Sequence, residues 1–531
     1  MTGTVSAVAL KSMLQEGGEL AILDVREEGA YAQAHLLFAV SLPLSRLELY
    51  IADLVPRRSA RIVVCDAGDG LATRAAERLA EFEYSDVAVL DGGVDAWSAA
   101  GFVLFSGVHV PSKAFGEFVE HTSATPSIAP EELRQLMQDG ADLVVLDSRP
   151  WNEYQSMNIP TGIDVPGAEL VYRVHDIAPS PDTLVVVNCA GRTRSIIGAQ
   201  SLINAGIPNR VVALRNGTMG WELAGFNCER GSDRRAPDIS PDGRTLAQGA
   251  AARVARRFNV RAIDMPTLER WRAETDKRSL YLLDVRSPEE FVRGHYPGSV
   301  SAPGGQLVQA TDRYVATLGA RVALIDDNGV RATMTASWLL QMGWDNVVVL
   351  RGALNGGELQ TGTVPRRVLG LDTAHAESIA VAELYELLAA RQASVIDLST
   401  SRDYRARHIP GAWFAVRSRL GKSLVSIPLQ GSLVLTSEDG RLATLAATQV
   451  AGVVGVSVKV LDGGNRAWME AGLDVASGEE QMADVADDVW LKPYERAAGI
   501  EAAMNEYLTW ETDLLRHIKQ DGTADFRCVP D

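Results

Sequence analysis

The chain has 531 residues, 46% hydrophobic and 22% charged, with a formal net charge of −17. That length exceeds what one hydrophobic core supports and predicts three to five domains, while the acidic balance argues against nucleic acid or an anionic membrane as partner. The N-terminus lacks the basic start and apolar core of a signal peptide, and no run nears the roughly 18 apolar residues of a spanning helix.

Four cysteines, Cys65, Cys189, Cys228 and Cys528, are scattered without a CxxC pair. Neither a disulfide framework nor a zinc site is expected, and a reducing cytoplasm is the simplest setting.

Along the chain one unit recurs four times. It opens with an apolar strand ending in Asp: LAILD at Asp24, LVVLD at Asp147, LYLLD at Asp284 and ASVID at Asp397. A turn follows, HLLFA from His35, NIPTG from Asn158, HYPGS from His295 and HIPGA from His408. A second apolar strand then runs through a polar loop into a helix: RIVVCDAGDG, LVVVNCAGRTRS, RVALIDDNGVRA and SLVLTSEDGRLA. A third strand and a glycine turn close each unit: VAVLDGG, VVALRNG, VVVLRGA and VKVLDGG. The spacing from strand-end Asp to the loop position taken as equivalent is 41 (Asp24 to Cys65), 42 (Asp147 to Cys189), 42 (Asp284 to Asp326) and 39 (Asp397 to Thr436).

Short, unalternated strands rich in Val, Ile and Leu read as buried on both faces. Their alternation with amphipathic helical stretches predicts α/β units, each around a parallel sheet. The units are placed at residues 1–110, 123–230, 258–365 and 374–478. Residues 231–257 read as a linker, because Arg230 to Gly249 is rich in Pro, Gly, Asp and Arg. Residues 479–531 read as a helical extension that packs on the last unit or on a partner chain, which makes it a plausible oligomer contact.

The repeats resemble rhodanese domains, the thiosulfate sulfurtransferase-like family. The LLDVR strand end, the GHYPGS and RHIPGA turns, CAGRTRS and the VLDGG..AW ending carry the resemblance over about residues 5–478. It implies four tandem rhodanese-like domains, each a parallel sheet flanked by helices. It also implies a cysteine thiolate at a strand end that takes a sulfane sulfur and carries it as a persulfide. Asp326 and Thr436 cannot hold a persulfide, so the third and fourth units are expected to be silent.

Electrostatics separate the other two. Cations and a helix N-terminus lower a thiol pKa from about 8.5. Cys189 is followed by Arg192 and Arg194, and its helix begins near Ser195. Asp66 and Asp69 flank Cys65, with no cation before Arg74, so the first unit is read as inactive.

The expected site is therefore Cys189 as nucleophile, with the loop Ala190, Gly191, Arg192, Thr193, Arg194 and Ser195 cradling thiolate and donor. Asp147 is expected as structural support, paired with Arg149, which would also reach the pocket. The partners are a small anionic sulfur donor, such as thiosulfate, and a thiol or cyanide acceptor, without cofactor or metal. Two other readings compete. Phosphatases and arsenate reductases use a similar cysteine–arginine loop, but here the arginine falls five places after the cysteine, one residue short. A scaffold of rhodanese-like units needs no reactive thiol at all.

Two departures sit in the second unit. Asn158 replaces the turn histidine, which is read as a capping group, and Glu153 stands where tandem thiosulfate sulfurtransferases carry an arginine. Trp97, Trp221 and Trp468 are expected in cores, and His35, His295 and His408 in turns without metal. Cys228 is expected to be structural, and Cys528 to lie on an exposed tail.

Overall fold

The computed structural model describes residues 3–452 and 454–529. Each unit forms one sheet of five parallel strands in spatial order first, fifth, fourth, second, third. In the second unit these are Ser127–Ile128, Val211–Leu214, Leu184–Asn188, Leu143–Asp147 and Ile163–Asp164. The middle strand reads LVVVN because helices cover both faces, and Val185, Val186 and Val187 are fully buried. Among the described residues no helix is long and apolar enough to cross a membrane.

Strand register corrects the sequence alignment. Asp24 pairs with Cys65, Asp147 with Asn188, Asp284 with Ile325 and Asp397 with Thr436. The residue after each partner starts the loop, so Asp66, Cys189, Asp326 and Ser437 are the true equivalents. Cys65 and Thr436 end their strands one residue earlier. Both fit a buried strand end, which is why the pattern hid the slip.

The Asp–x–Arg element is a structural clamp. Arg26, Arg149 and Arg286 each grip the aspartate two residues back and bond a carbonyl eight residues on, at Ala34, Met157 and Gly294. The turn that follows is held the same way in every unit. His35, His295 and His408 place Nδ1 within 3.0 Å of the carbonyl four residues before. Asn158 does this with its amide, donating to Tyr154 O at 3.2 Å.

Four further helices position the site: α1 (Val110–Ser123), α2 (Thr193–Ala205), α3 (Pro241–Arg257) and α4 (Ile500–Asp521). The stretch read as a linker contains α3. Ser240 caps it, and Ala247, Ala250, Ala251 and Val254 bury one helical stripe against the second and third units. The Pro, Gly and Arg content of its first turn masked that stripe.

The units interlock. Thr317–Leu318 of the third unit adds an antiparallel strand to the first unit's sheet. Arg331, fully buried, bonds Glu169 of the second unit at 2.7 Å and Glu290 of its own at 2.6 Å. Between the first and fourth units, Ser45 and Ser418 both donate to Glu27.

Burial pushes the Glu27 carboxyl up from 4.5 to about 7, despite those hydroxyls and Arg46 and Arg419 nearby. Its folded value lies above its unfolded one, so its contribution is present at low pH and is lost as pH rises through that window. Thermal melts at pH 4.5 and pH 7 should therefore show a smaller loss of stability for Glu27→Gln than for the parent. Equal losses would show that the buried carboxyl does not hold its proton.

Candidate active site

Leu184–Asn188 lies between the second and fifth strands of its unit. Its carboxyl end therefore opens at the middle of the sheet, where open α/β sheets place their ligands. Asn188 is anchored there by donating to Asp147 Oδ2 at 2.9 Å. Cys189 follows, only 2% exposed. Ala190, Gly191 and Arg192 then turn the chain into α2, whose N-terminus has no side-chain cap. An uncapped helix start presents unpaired N–H groups and the positive end of the dipole.

The loop is fixed from behind. The N–H groups of Thr218 and Met219 donate to the carbonyls of Cys189 and Ala190 at 2.8 and 3.0 Å. Gly217 permits that approach, since its φ is +56° and a Cβ there would stand 2.3 Å from the Cys189 carbonyl oxygen.

The sister loops show what such a cradle accepts. Asp66 takes N–H bonds from Gly68 and Ala72 at 2.8 and 2.9 Å. Asp326 takes them from Gly329 and Ala332 at 2.7 and 3.1 Å. Ser437 Oγ accepts from Ala443 at 3.3 Å. In the second unit the same point holds Cys189 Sγ, which donates to Ser195 Oγ at 3.5 Å. Ser195 in turn donates to Arg192 O at 2.8 Å.

The two arginines have separate fates. Arg194 bonds Glu153 at 2.8 Å and Gln306 of the third unit at 3.2 Å. Lys492 also meets Glu153, at 3.3 Å. Burial opposes ionisation of Glu153, yet Arg194 and Lys492 hold its carboxyl well below the usual range. These three groups carry one net positive charge at the mouth of the site. Arg192 instead bonds Glu117 at 2.7 and 2.8 Å, Glu120, and Asn216 at 3.2 Å. Glu117 and Glu120 of α1 offset its charge, while Arg192 still lines the cavity into which Cys189 opens. Arg149 is buried in its clamp with Asp147 and does not line the pocket.

Cys189 opens into a cavity of ≈ 410 Å³ walled by every part of the chain. Glu28 comes from the first unit, Lys113 from α1, Gln306 and Arg313 from the third unit, and Arg402 from the fourth. Trp490, Tyr494, Tyr507 and Glu511 come from the C-terminal extension. The segment before α4 does run along the fourth unit, with Phe414 paired to Met482. The helix itself packs on α1 and on the Met219 turn. Leu514 and Ile518 of α4 pack with Val110 and Ala114 of α1, and Met504 and Leu508 with Met219. Gly191 admits it: a Cβ there would meet Met219 Cε at 2.9 Å and Glu511 Oε2 at 3.2 Å.

The sequence profile of the rhodanese-like domain matches residues 6–100, 129–224, 267–359 and 380–471. The chain belongs to the rhodanese-like family. Its fold is similar to the crystal structure of a thiosulfate sulfurtransferase from Pseudomonas aeruginosa, at 48% identity and a TM-score of 0.96, covering 99% of this chain and 100% of that one. The rhodanese-like domain of an Anabaena sp. protein is 32% identical over 20% of this chain and 80% of its own, with a TM-score of 0.19. A search of curated proteins finds no match.

The other cysteines of this rhodanese-like chain lie outside the cavity. Burial, then Asp24, pushes the Cys65 thiol well up. Cys228 is half-buried, its thiol pushed up by burial to about 12. Cys528 is exposed. Lys113, Tyr507 and Glu511 carry no motif and fall outside the repeats, so the pattern could not reveal them. In the first unit the register slip did leave a trace, because the spacing of 42 found in the second and third units selects Asp66 rather than Cys65.

Gly217→Ala should shift the Cys189 loop. A displacement of 1 Å at a reacting group costs about 10²-fold, so a comparable change is expected in the rate at which a thiol-alkylating reagent modifies Cys189. An unchanged rate would show that the loop tolerates the clash.

Proposed function

We propose that the chain is a sulfurtransferase that moves a sulfane sulfur from thiosulfate or a persulfide-type donor to a thiophilic acceptor through a Cys189 persulfide. One observation carries this reading. At the cradle where its sister units seat a carboxylate or a hydroxyl, the second unit seats a sulfur, and that sulfur faces a cavity. The likeness to the Pseudomonas aeruginosa thiosulfate sulfurtransferase over nearly the whole chain supports it.

In the first half-reaction the Cys189 thiolate attacks the outer sulfur of thiosulfate. A new S–S bond forms, the old one breaks, and sulfite leaves with the electron pair. The amides at the start of α2 stabilise the anionic persulfide, as they would any anion at a helix N-terminus, and the net positive charge of Arg194, Lys492 and Glu153 draws the donor to the mouth. In the second half-reaction the acceptor attacks the outer sulfur and Cys189 leaves as thiolate. Two steps through one covalent intermediate give ping-pong kinetics. A phosphatase reading finds less support, because the loop reaches its arginine one residue early.

Intact mass after incubation with thiosulfate tests the proposal. The parent chain should gain the mass of one sulfur atom and Cys189→Ser should gain nothing, while Cys65→Ser should behave as the parent. A gain that survives Cys189→Ser, or is lost in Cys65→Ser, would overturn the assignment.

A further inference from the structure

The C-terminal helix adds to the Cys189 cavity, beside Glu28 and Glu153 of the repeats, a buried carboxylate with one oxygen unpartnered among the described residues. Glu511 is 1% exposed and lines the Cys189 cavity. Its two oxygens differ. Oε1 accepts from Tyr507 at 2.9 Å, from Lys113 at 3.2 Å and from Thr193 at 3.3 Å. Oε2 has no hydrogen-bond partner among the described residues. It lies against Gly191, two residues past the sulfur, 3.2 Å from where a Cβ would stand. A buried carboxylate oxygen without a partner is costly, and here three donors tie down its twin and hold Oε2 against the Gly191 loop.

This inference rests on the sulfurtransferase reading. The geometry points to Glu511 as general base of the second half-reaction, with Oε2 taking the proton of a thiol acceptor as that thiol attacks the Cys189 persulfide. The acceptor sulfur bonds to the outer sulfur, the Cys189 S–S bond breaks, and Cys189 departs as thiolate with the electron pair. The acceptor leaves as a persulfide anion, and the thiol proton resides on Glu511 until solvent removes it. The sulfane sulfur is only passed on, so no oxidant or reductant is consumed.

Tyr507 and Lys113 hold the base in place. Burial, then Glu511 itself, keeps the Tyr507 phenol protonated, so it donates to Oε1 throughout. The charged and titratable groups facing Glu511 are Lys113 and Glu117 on α1, Tyr507 on its own helix and Arg192 in the loop.

The magnitude is bounded by the acceptor. A thiol of pKa about 8.5 is roughly 3% ionised at about pH 7, so deprotonating it in place gains at most about 30-fold. The gain vanishes as pH rises past about 8.5, where solution supplies the thiolate.

The test loads the full chain with sulfur from thiosulfate, removes the donor and follows discharge by free cysteine or by sulfite, whose dianion attacks without a proton to shed. At about pH 7, Glu511→Gln should lower the cysteine-to-sulfite rate ratio about tenfold, and the deficit should close as pH rises past about 8.5. Glu511→Asp, which retains a carboxylate, should recover part of the ratio, and it serves alone if the glutamine variant does not fold. A purely structural role would slow both acceptors together at every pH, so an unchanged ratio overturns the inference while leaving Cys189 chemistry intact. Failure of the parent chain to load sulfur on Cys189 overturns both.

Discussion

A parallel strand that ends at the middle of a sheet and turns at once into a helix leaves several N–H groups converging on one buried point, and that point demands an acceptor. Three of the four units meet the demand at the same register with an oxygen acceptor, and in the second the Cys189 thiol lies there and donates to Ser195 Oγ. Asp66 and Asp326 bring carboxylates, Ser437 a hydroxyl, and Cys189 a sulfur. In three units the acceptor is an oxygen of the loop's own first side chain, so the cradle is filled by the fold itself. In the second unit the atom at that point can form a further covalent bond. One position thus separates loops that are structurally complete from a loop that is chemically open.

The remaining units gain a purpose from that division. Two of them place positive side chains, Arg313 and Arg402, at the cavity of the second, and the first contributes Glu28. Their positions are secured by contacts that cross between units, such as Arg331 with Glu169 and the strand Thr317–Leu318 on the first sheet. Arg402 bonds Glu495 at 3.1 Å and Arg313 lies 3.9 Å from Glu28, so the neighbouring units bring cations and carboxylates together at the cavity.

Much of the fold was legible because its signals are local. Apolar runs ending in Asp, glycine turns and the distances between them follow from strand burial and clamp geometry, both set within a few dozen residues. The slip at Cys65 and Thr436 arose where a buried strand end tolerates cysteine or threonine as readily as isoleucine or asparagine, so composition could not fix the last residue. The ion pairs of Arg192 were hidden for a different reason. Its partners Glu117 and Glu120 sit on α1, between two repeats, where no periodic relation links them to the loop. Tyr507 and Glu511 were hidden for the same cause, since only the path of the chain brings α4 to Gly191. Local pattern located the strand-end cysteine of the second unit, and tertiary assembly decided its surroundings.

The bonds that close the cavity span unusual sequence distances: Thr193 and Glu511 are 318 residues apart, and Lys113 and Glu511 are 398 apart. Closing loops of that length is entropically late, because intervening units must first become compact. The walls around Cys189 are complete only once units far apart in the sequence have docked on one another. Chemistry in this molecule is therefore a readout of global assembly rather than a property of the unit that carries the cysteine.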